Sequence, residues 1–219
     1  MNLNSTMDPF LSKLTNKKII LASNSPRRQE LMKGLEVDFE VRINTVDETV
    51  PKDIHAEYVA AYLSKLKSDS FPDQLADNEI LITSDTVVIA DGLVLGKPTN
   101  NEEAFDMLKN LSGATHTVMT AVTLKSLTRQ VTLEDETKVT FRFLEEDEIW
   151  HYIRRYKPMD KAGAYGIQEW IGFMGVERIE GSYYTVMGFP LHLVYTQLKK
   201  WSYGLVIIRS VIEPLLELV

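Results

Sequence analysis

No cysteine occurs in the 219 residues of the chain. That absence excludes a disulfide framework, a thiolate metal site and a cysteine nucleophile, and it accords with a reducing compartment. Positive charge is also scarce: 24 Lys and Arg stand against 31 Asp and Glu, for a formal net charge of −7. A stable nucleic-acid complex is therefore not expected, because binding a phosphate backbone calls for concentrated Lys and Arg that displace counterions. Any anionic ligand must be met by a local cluster.

Long apolar runs are missing as well. A membrane-spanning helix needs roughly 20 mostly apolar residues, whereas the most apolar stretch, Tyr203 to Val219, is interrupted by Arg209, Glu213, Pro214 and Glu217. No membrane association is expected, and residues 201–219 read as an apolar extension that packs on the body or on a partner subunit. The opening MNLNSTMDPFLSKLTNKK lacks the basic and continuous apolar regions of a secretory signal, so residues 1–17 read as an extension and the cytoplasm as the expected location. There is no G-x-S-x-G elbow and no H-E-x-x-H. The four histidines, His55, His116, His151 and His192, are scattered without metal-ligand spacing.

What is present is enough hydrophobic residue, 44%, to build a sizeable core. Strand and helix patterns interleave. Ile19 to Ala22 reads as a buried strand, and Ser25 and Pro26 as the N-cap and first residue of a helix. Val37 to Ile43 alternates as a half-buried strand, and Ala56 to Lys67 presents Val59, Tyr62, Leu63 and Leu66 on one helical face with Lys65 off it. Glu79 to Lys97 is a strand entering a hairpin at Asp91-Gly92. Asn101 to Leu111, with Thr99 and Glu102 at capping-box spacing, Glu145 to Tyr156 and Leu191 to Trp201 read as amphipathic helices; residues 114–125 and 129–143 are β-rich. No Pro, Gly or Ser linker divides the chain. The expectation is one α/β domain over residues 18–200, with a mixed sheet and two lobes around a cleft.

Several stretches carry chemistry. In IILASNSPRRQEL a helix start with free N–H groups is joined by Arg27 and Arg28, an arrangement suited to phosphate. Helix dipoles disfavour arginines at an N-terminus unless an anion is close, and a surface carboxylate would also serve. Asp85 interrupts the buried-strand run ILITSDTVVIA; a carboxylate there is costly unless paired or metal-bound, and it suits Mg²⁺ binding or proton abstraction from water. Asp47 and Glu48 are acids in a loop that gain weight as partners for the same metal. GLVLGK fails the phosphate-loop pattern, with three residues between its glycines and Pro98 after Lys97, which leaves Lys97 as a single phosphate contact or an edge charge. In PMDKAGAYGIQ the small residues allow close backbone approach, Lys161 offers charge and Gln168 can read a base edge; a tight structural turn accounts for the glycines equally well.

Taken together, LASNSPRRQEL, VDE, SDTVV with GLVLGKP, LSGATHTVMTAV, DKAGAYGIQ and IEGSYYTVMGFPL resemble the Maf proteins, a family of nucleoside triphosphate pyrophosphatases, in family order over residues 18–200. The resemblance implies an α/β fold similar to the inosine triphosphate pyrophosphatases, a nucleotide cleft between lobes and often a homodimer. It implies a divalent metal, Mg²⁺ or Mn²⁺, and hydrolysis between the α and β phosphates. By the same resemblance Asp85 would accept the proton, Arg27, Thr86 and Gln168 would set base specificity, and Glu48, Lys65, Lys97 and Lys161 would serve the metal and phosphate region. Arg28 would add charge against the triphosphate, and Glu48 with Asp85 would hold the metal. DKAGAYGIQ resembles the branch acting on dTTP and UTP; 7-methyl-GTP, the substrate of a sister branch, and a non-catalytic nucleotide-binding regulator of cell division are the alternatives. Thr185 departs from the pattern, standing where the family tends to have Asn.

Overall fold

The computed structural model describes Leu14, residues 16–43 and residues 45–203. Seven strands form one mixed sheet in the order β2-β1-β3-β5-β6-β7, with β4 paired to β3. These are β1 (Lys18–Leu21), β2 (Phe39–Val41), β3 (Glu79–Ala90), β4 (Leu93–Leu95), β5 (Thr115–Lys125), β6 (Gln130–Phe141) and β7 (Val176–Glu180). Pairings of β1 with β2 and β3 are parallel, and the rest are antiparallel. The helices are α1 (Pro26–Lys33), α2 (Val59–Asp69), α3 (Asn101–Leu111), α4 (Glu146–Tyr156), α5 (Trp170–Gly175), α6 (Tyr183–Val186) and α7 (Leu191–Tyr203).

β3 organises the two lobes. Its 12 residues extend about 40 Å, and its two ends belong to different cores. Ile80 and Ile82 pack with β1, α1 and α7 around Met32, Phe189, Val194 and Leu198. Val88 packs with α3, α4 and α5 around Leu108, Phe141, Ile153 and Ile171. On the opposite face α2 lays Val59, Ala60 and Leu63 on Val87, Met119 and Ala121, as the apolar stripe of that helix dictates.

The edge partner of β3 changes along its length. β1 pairs with it only as far as Ile82, and β4 takes over at Val88. Residues 83–87 therefore have no strand on that edge, and their unpaired backbone groups must be satisfied another way. This gap is where the cleft opens.

Local sequence accounts for most elements. Asp91 and Gly92 both have positive φ, 50° and 75°, the hairpin conformation that Asp-Gly favours. The α3 cap lies one residue later than its sequence pattern suggests: Asn100 Oδ1 accepts from Glu103 N–H at 2.8 Å, and the Glu103 carboxylate accepts from Thr99 N–H at 2.7 Å. Asparagine outranks threonine at this position. The strand expected over residues 37–43 shortens to β2, with Ile43 exposed. Leu14 is buried in the α1 and α7 core, Lys17 N–H donates to Leu14 O at 2.8 Å, and α7 runs through Tyr203; residues 1–13, 15 and 204–219 of the expected extensions lie outside the described residues. Among the described residues no helix is long and apolar enough to cross a membrane.

Candidate active site

Two adjoining chambers, of about 140 and 350 Å³, open at the gap in the β3 edge and share Ser25, Arg27, Arg28, Lys67, Lys97 and Asp160 among their walls. The smaller adds Asp85, Thr86, Lys161 and Tyr165; the larger adds Glu48 and the Ser23–Pro26 turn. Beyond the carboxyl ends of parallel strands is where α/β sheets place ligands, and the carboxyl end of β1 delivers that turn.

Ser25 caps α1, its Oγ accepting from Arg28 N–H at 3.5 Å, with Pro26 in the first turn. The two arginines then part. Arg28 turns inward: its guanidinium donates to Gly188 O at 2.8 Å, Ser84 O at 2.8 Å and Thr86 Oγ1 at 3.1 Å. It thus satisfies a free carbonyl of the β3 edge and ties α1 to the loop after α6. Burial lowers its pKa, partly offset by the nearby charge of Asp85. Gly188, at φ 96°, leaves just enough room, since a Cβ there would lie 3.1 Å from Thr86 Oγ1. Arg27 faces the cleft and pairs with Asp160 at 3.1 Å, so the positive charge at this helix start is offset in part by a carboxylate of the other lobe. Burial would raise the Asp160 carboxyl, but Lys161 and Arg27 hold it below its ordinary value.

Strand alternation puts Ser84 and Thr86 on the Arg28 side and Asp85 on the α2 side. Asp85 Oδ1 lies 2.5 Å from Lys67 Nζ, and Glu48 Oε1 lies 3.2 Å from the same ammonium. The Asp85 and Lys67 side chains are 12% and 17% exposed. Two carboxylates thus converge on one cation. Asp47, the other loop acid, instead accepts from Thr49 N–H and Oγ1 within its own turn, which lowers its pKa.

The structure brings Arg27, Arg28, Thr86, Asp85, Lys97, Lys161 and Glu48 to the chambers. Lys65 is not among them. It points outward and pairs with Asp69 one turn along α2, while Lys67 reaches the cleft. Two positions correspond to about 200° around a helix, so the two lysines face nearly opposite ways. Lys67 is the cleft-lining lysine of α2 that the sequence did not single out. No local signal in the sequence aims either lysine at Asp85; the rotation of α2 against the sheet decides it. Gln168 is half-buried beside the loop and does not line either chamber. Among the described residues no three His, Cys, Asp or Glu side chains form a metal-binding group.

The fold and site define a two-lobed α/β protein with a cation-lined cleft centred on one strand carboxylate. The model of Maf-like proteins matches residues 18–201, and the chain belongs to that family. Curated relatives are similar over nearly their whole length. The dTTP/UTP pyrophosphatase of Flavobacterium johnsoniae is 51% identical over 85% of this chain and 96% of its own. Those of Phocaeicola vulgatus and Bacteroides thetaiotaomicron are 49% and 48% identical over 87% of this chain and 100% of theirs. Among solved structures, the Staphylococcus aureus Ham1 protein aligns over 57% of this chain and 72% of its own, at 16% identity and a TM-score of 0.43.

Proposed function

We propose that the protein is a nucleoside triphosphate pyrophosphatase that hydrolyses dTTP and UTP to the monophosphate and pyrophosphate. The observation that carries this reading is the cleft itself: Asp85 stands on the unpaired edge of β3, surrounded by Arg27, Lys67, Lys97 and Lys161. Relatives that share about half of the residues bear that activity in their names.

The roles follow from charge and position. Arg27, Lys67, Lys97 and Lys161 neutralise the triphosphate, whose negative charge grows on the leaving pyrophosphate. Lys97 is exposed and, among the described residues, has no ion-pair partner, so it is free to take a phosphate. Asp85 accepts the proton of the attacking water. Arg28 contributes by rigidity, locking Thr86 and the Gly188 loop into one wall of the pocket. Thr86 and Gln168 read the base, Gln168 by turning from its half-buried position.

The donor set suits a divalent cation. Mg²⁺ commonly takes one or two carboxylates and completes its shell with substrate phosphate and water, and Glu48 and Asp85 already converge on the Lys67 charge. Those two residues would hold Mg²⁺ or Mn²⁺, which when bound supplies further neutralisation of the phosphates. The reading extends, from the family resemblance, to a cytoplasmic homodimer.

Pyrophosphate release with Mg²⁺ from dTTP, UTP, CTP, GTP and 7-methyl-GTP, by the native protein and by Asp85→Asn, tests the proposal. Turnover of dTTP and UTP is expected, falling about 10²- to 10⁴-fold in the variant. Preference for 7-methyl-GTP would refute the substrate assignment, and no turnover by folded protein would leave a binding module.

A further inference from the structure

Lys161 is a charged side chain only 7% exposed, and something must hold it there. Its stem passes Gly166, where an added Cβ would lie 3.1 Å from Lys161 Cε and 2.9 Å from Glu169 Cδ. The ammonium meets two carboxylates, Asp160 Oδ1 at 2.7 Å and Glu169 Oε1 at 3.2 Å. They differ in setting. Asp160 is 60% exposed and shared with Arg27 across the cleft. Glu169 is 20% exposed and anchored from several sides. Its Oε2 accepts from the hydroxyl of the fully buried Tyr152 at 2.5 Å, and that hydroxyl in turn accepts from Gly166 N–H at 3.0 Å. Burial, reinforced by the bond to Glu169, pushes the Tyr152 phenol up, so it remains a donor at neutral pH. The Glu169 backbone is clamped too: its N–H donates to Gly166 O, and its carbonyl accepts from Gly172 and Phe173 N–H at the start of α5.

We propose that Glu169, anchored by Tyr152, is the positioning residue that holds the Lys161 ammonium at the cleft wall, ready for substrate phosphate. The inference rests on the phosphate-binding reading of the cleft. A lysine has four rotatable side-chain bonds, and ordering them during folding removes that entropy loss from the binding step. Asp160, exposed and reaching to the opposite lobe, is the partner that phosphate replaces; Glu169 is the one that stays.

A double-mutant cycle separates this role from general support of the fold. Wild type, Glu169→Gln, Lys161→Met and the double variant are compared by calorimetric binding of inorganic tripolyphosphate and by kcat and KM for dTTP with Mg²⁺. Glu169→Gln is expected to weaken tripolyphosphate about tenfold, the scale of one hydrogen bond to a charged group, and to change binding less than about twofold once Lys161 is Met. Simple electrostatics has the opposite sign, because removing a negative charge beside phosphates would tighten binding. Tyr152→Phe should reproduce part of the loss, and Lys161→Gln provides a second background should Lys161→Met fold poorly. Equal losses in both backgrounds, or unchanged or tighter binding in Glu169→Gln, would overturn the proposal. A wild type that binds tripolyphosphate without hydrolysing dTTP would refute the enzyme reading alone, and the binding cycle would still decide Glu169. Failure of the wild type to bind tripolyphosphate would overturn both.

Discussion

Replacing Lys67 and Lys65 separately by Met sets two neighbouring cations of one helix against each other. Lys67 Nζ lies 2.5 Å from Asp85 and 3.2 Å from Glu48, and the Lys67 and Asp85 side chains are largely withdrawn from solvent. Removing one partner of a buried ion pair costs about 3–5 kcal/mol; the half-exposed Glu48 and the open chamber reduce that to about 2–3 kcal/mol. For a domain of this size 1 kcal/mol corresponds to about 2–4 °C in Tm, so Lys67→Met should melt roughly 5–10 °C lower. Loss of a charged phosphate contact, about 1.5–3 kcal/mol, should lower kcat/KM for dTTP by roughly 10- to 150-fold. Lys65 makes an exposed pair with Asp69 four residues along α2; such pairs are worth about 0.3–0.5 kcal/mol. Its replacement should shift Tm by no more than about 2 °C and leave kcat/KM unchanged. Differential scanning calorimetry and a pyrophosphate-release assay read both quantities. Equal damage to turnover from the two substitutions, or undiminished kcat/KM in Lys67→Met, would refute the assignment of Lys67 to the cleft.

Burial lowers His116 from 6.5 to about 4, so the unfolded chain binds its proton first as pH falls; stability should drop by about 2 kcal/mol between pH 7 and pH 5. Urea unfolding at the two pH values measures this, and a His116→Gln variant with an equally steep loss would show that another group is responsible. At Gly172 an added Cβ would sit 1.9 Å from Ile167 O, a backbone atom that cannot yield without moving α5, so Gly172→Ala should cost at least about 3 kcal/mol and lower Tm by about 6 °C or more. A change of less than about 2 °C would show that the loop yields easily. Chelation by EDTA should abolish dTTP turnover, with recovery on adding Mg²⁺ or Mn²⁺; full activity after exhaustive chelation would remove the cation from the mechanism.

Much of the molecule was legible in the chain because the signals were local. Ser25-Pro26 starts α1, Asp91-Gly92 turns the hairpin, and apolar stripes at helical spacing mark α2, α3, α4 and α7, because capping, turn conformation and amphipathicity each act within a few residues. Asp85 was conspicuous for a similar reason, being an acid in a run that otherwise buries itself. The short elements were less visible: α5 and α6 span six and four residues, too few to show a period, and β7 is held by its pairing with β6.

By itself the sequence determined the alternation of strands and helices, the motifs at the ends of those elements and the acid within β3. Tertiary structure decided which charges meet. Nothing in the order of residues distinguishes Arg27, which crosses the cleft to Asp160, from Arg28, which is consumed by Ser84, Thr86 and Gly188. Nor does it say that Lys67, not Lys65, finds Asp85, or that Tyr152 of α4 holds Glu169. Those pairings join segments far apart in sequence. They depend on the rotation of each helix against the sheet and on the exchange of β1 for β4 along β3, and both are set by packing the two cores.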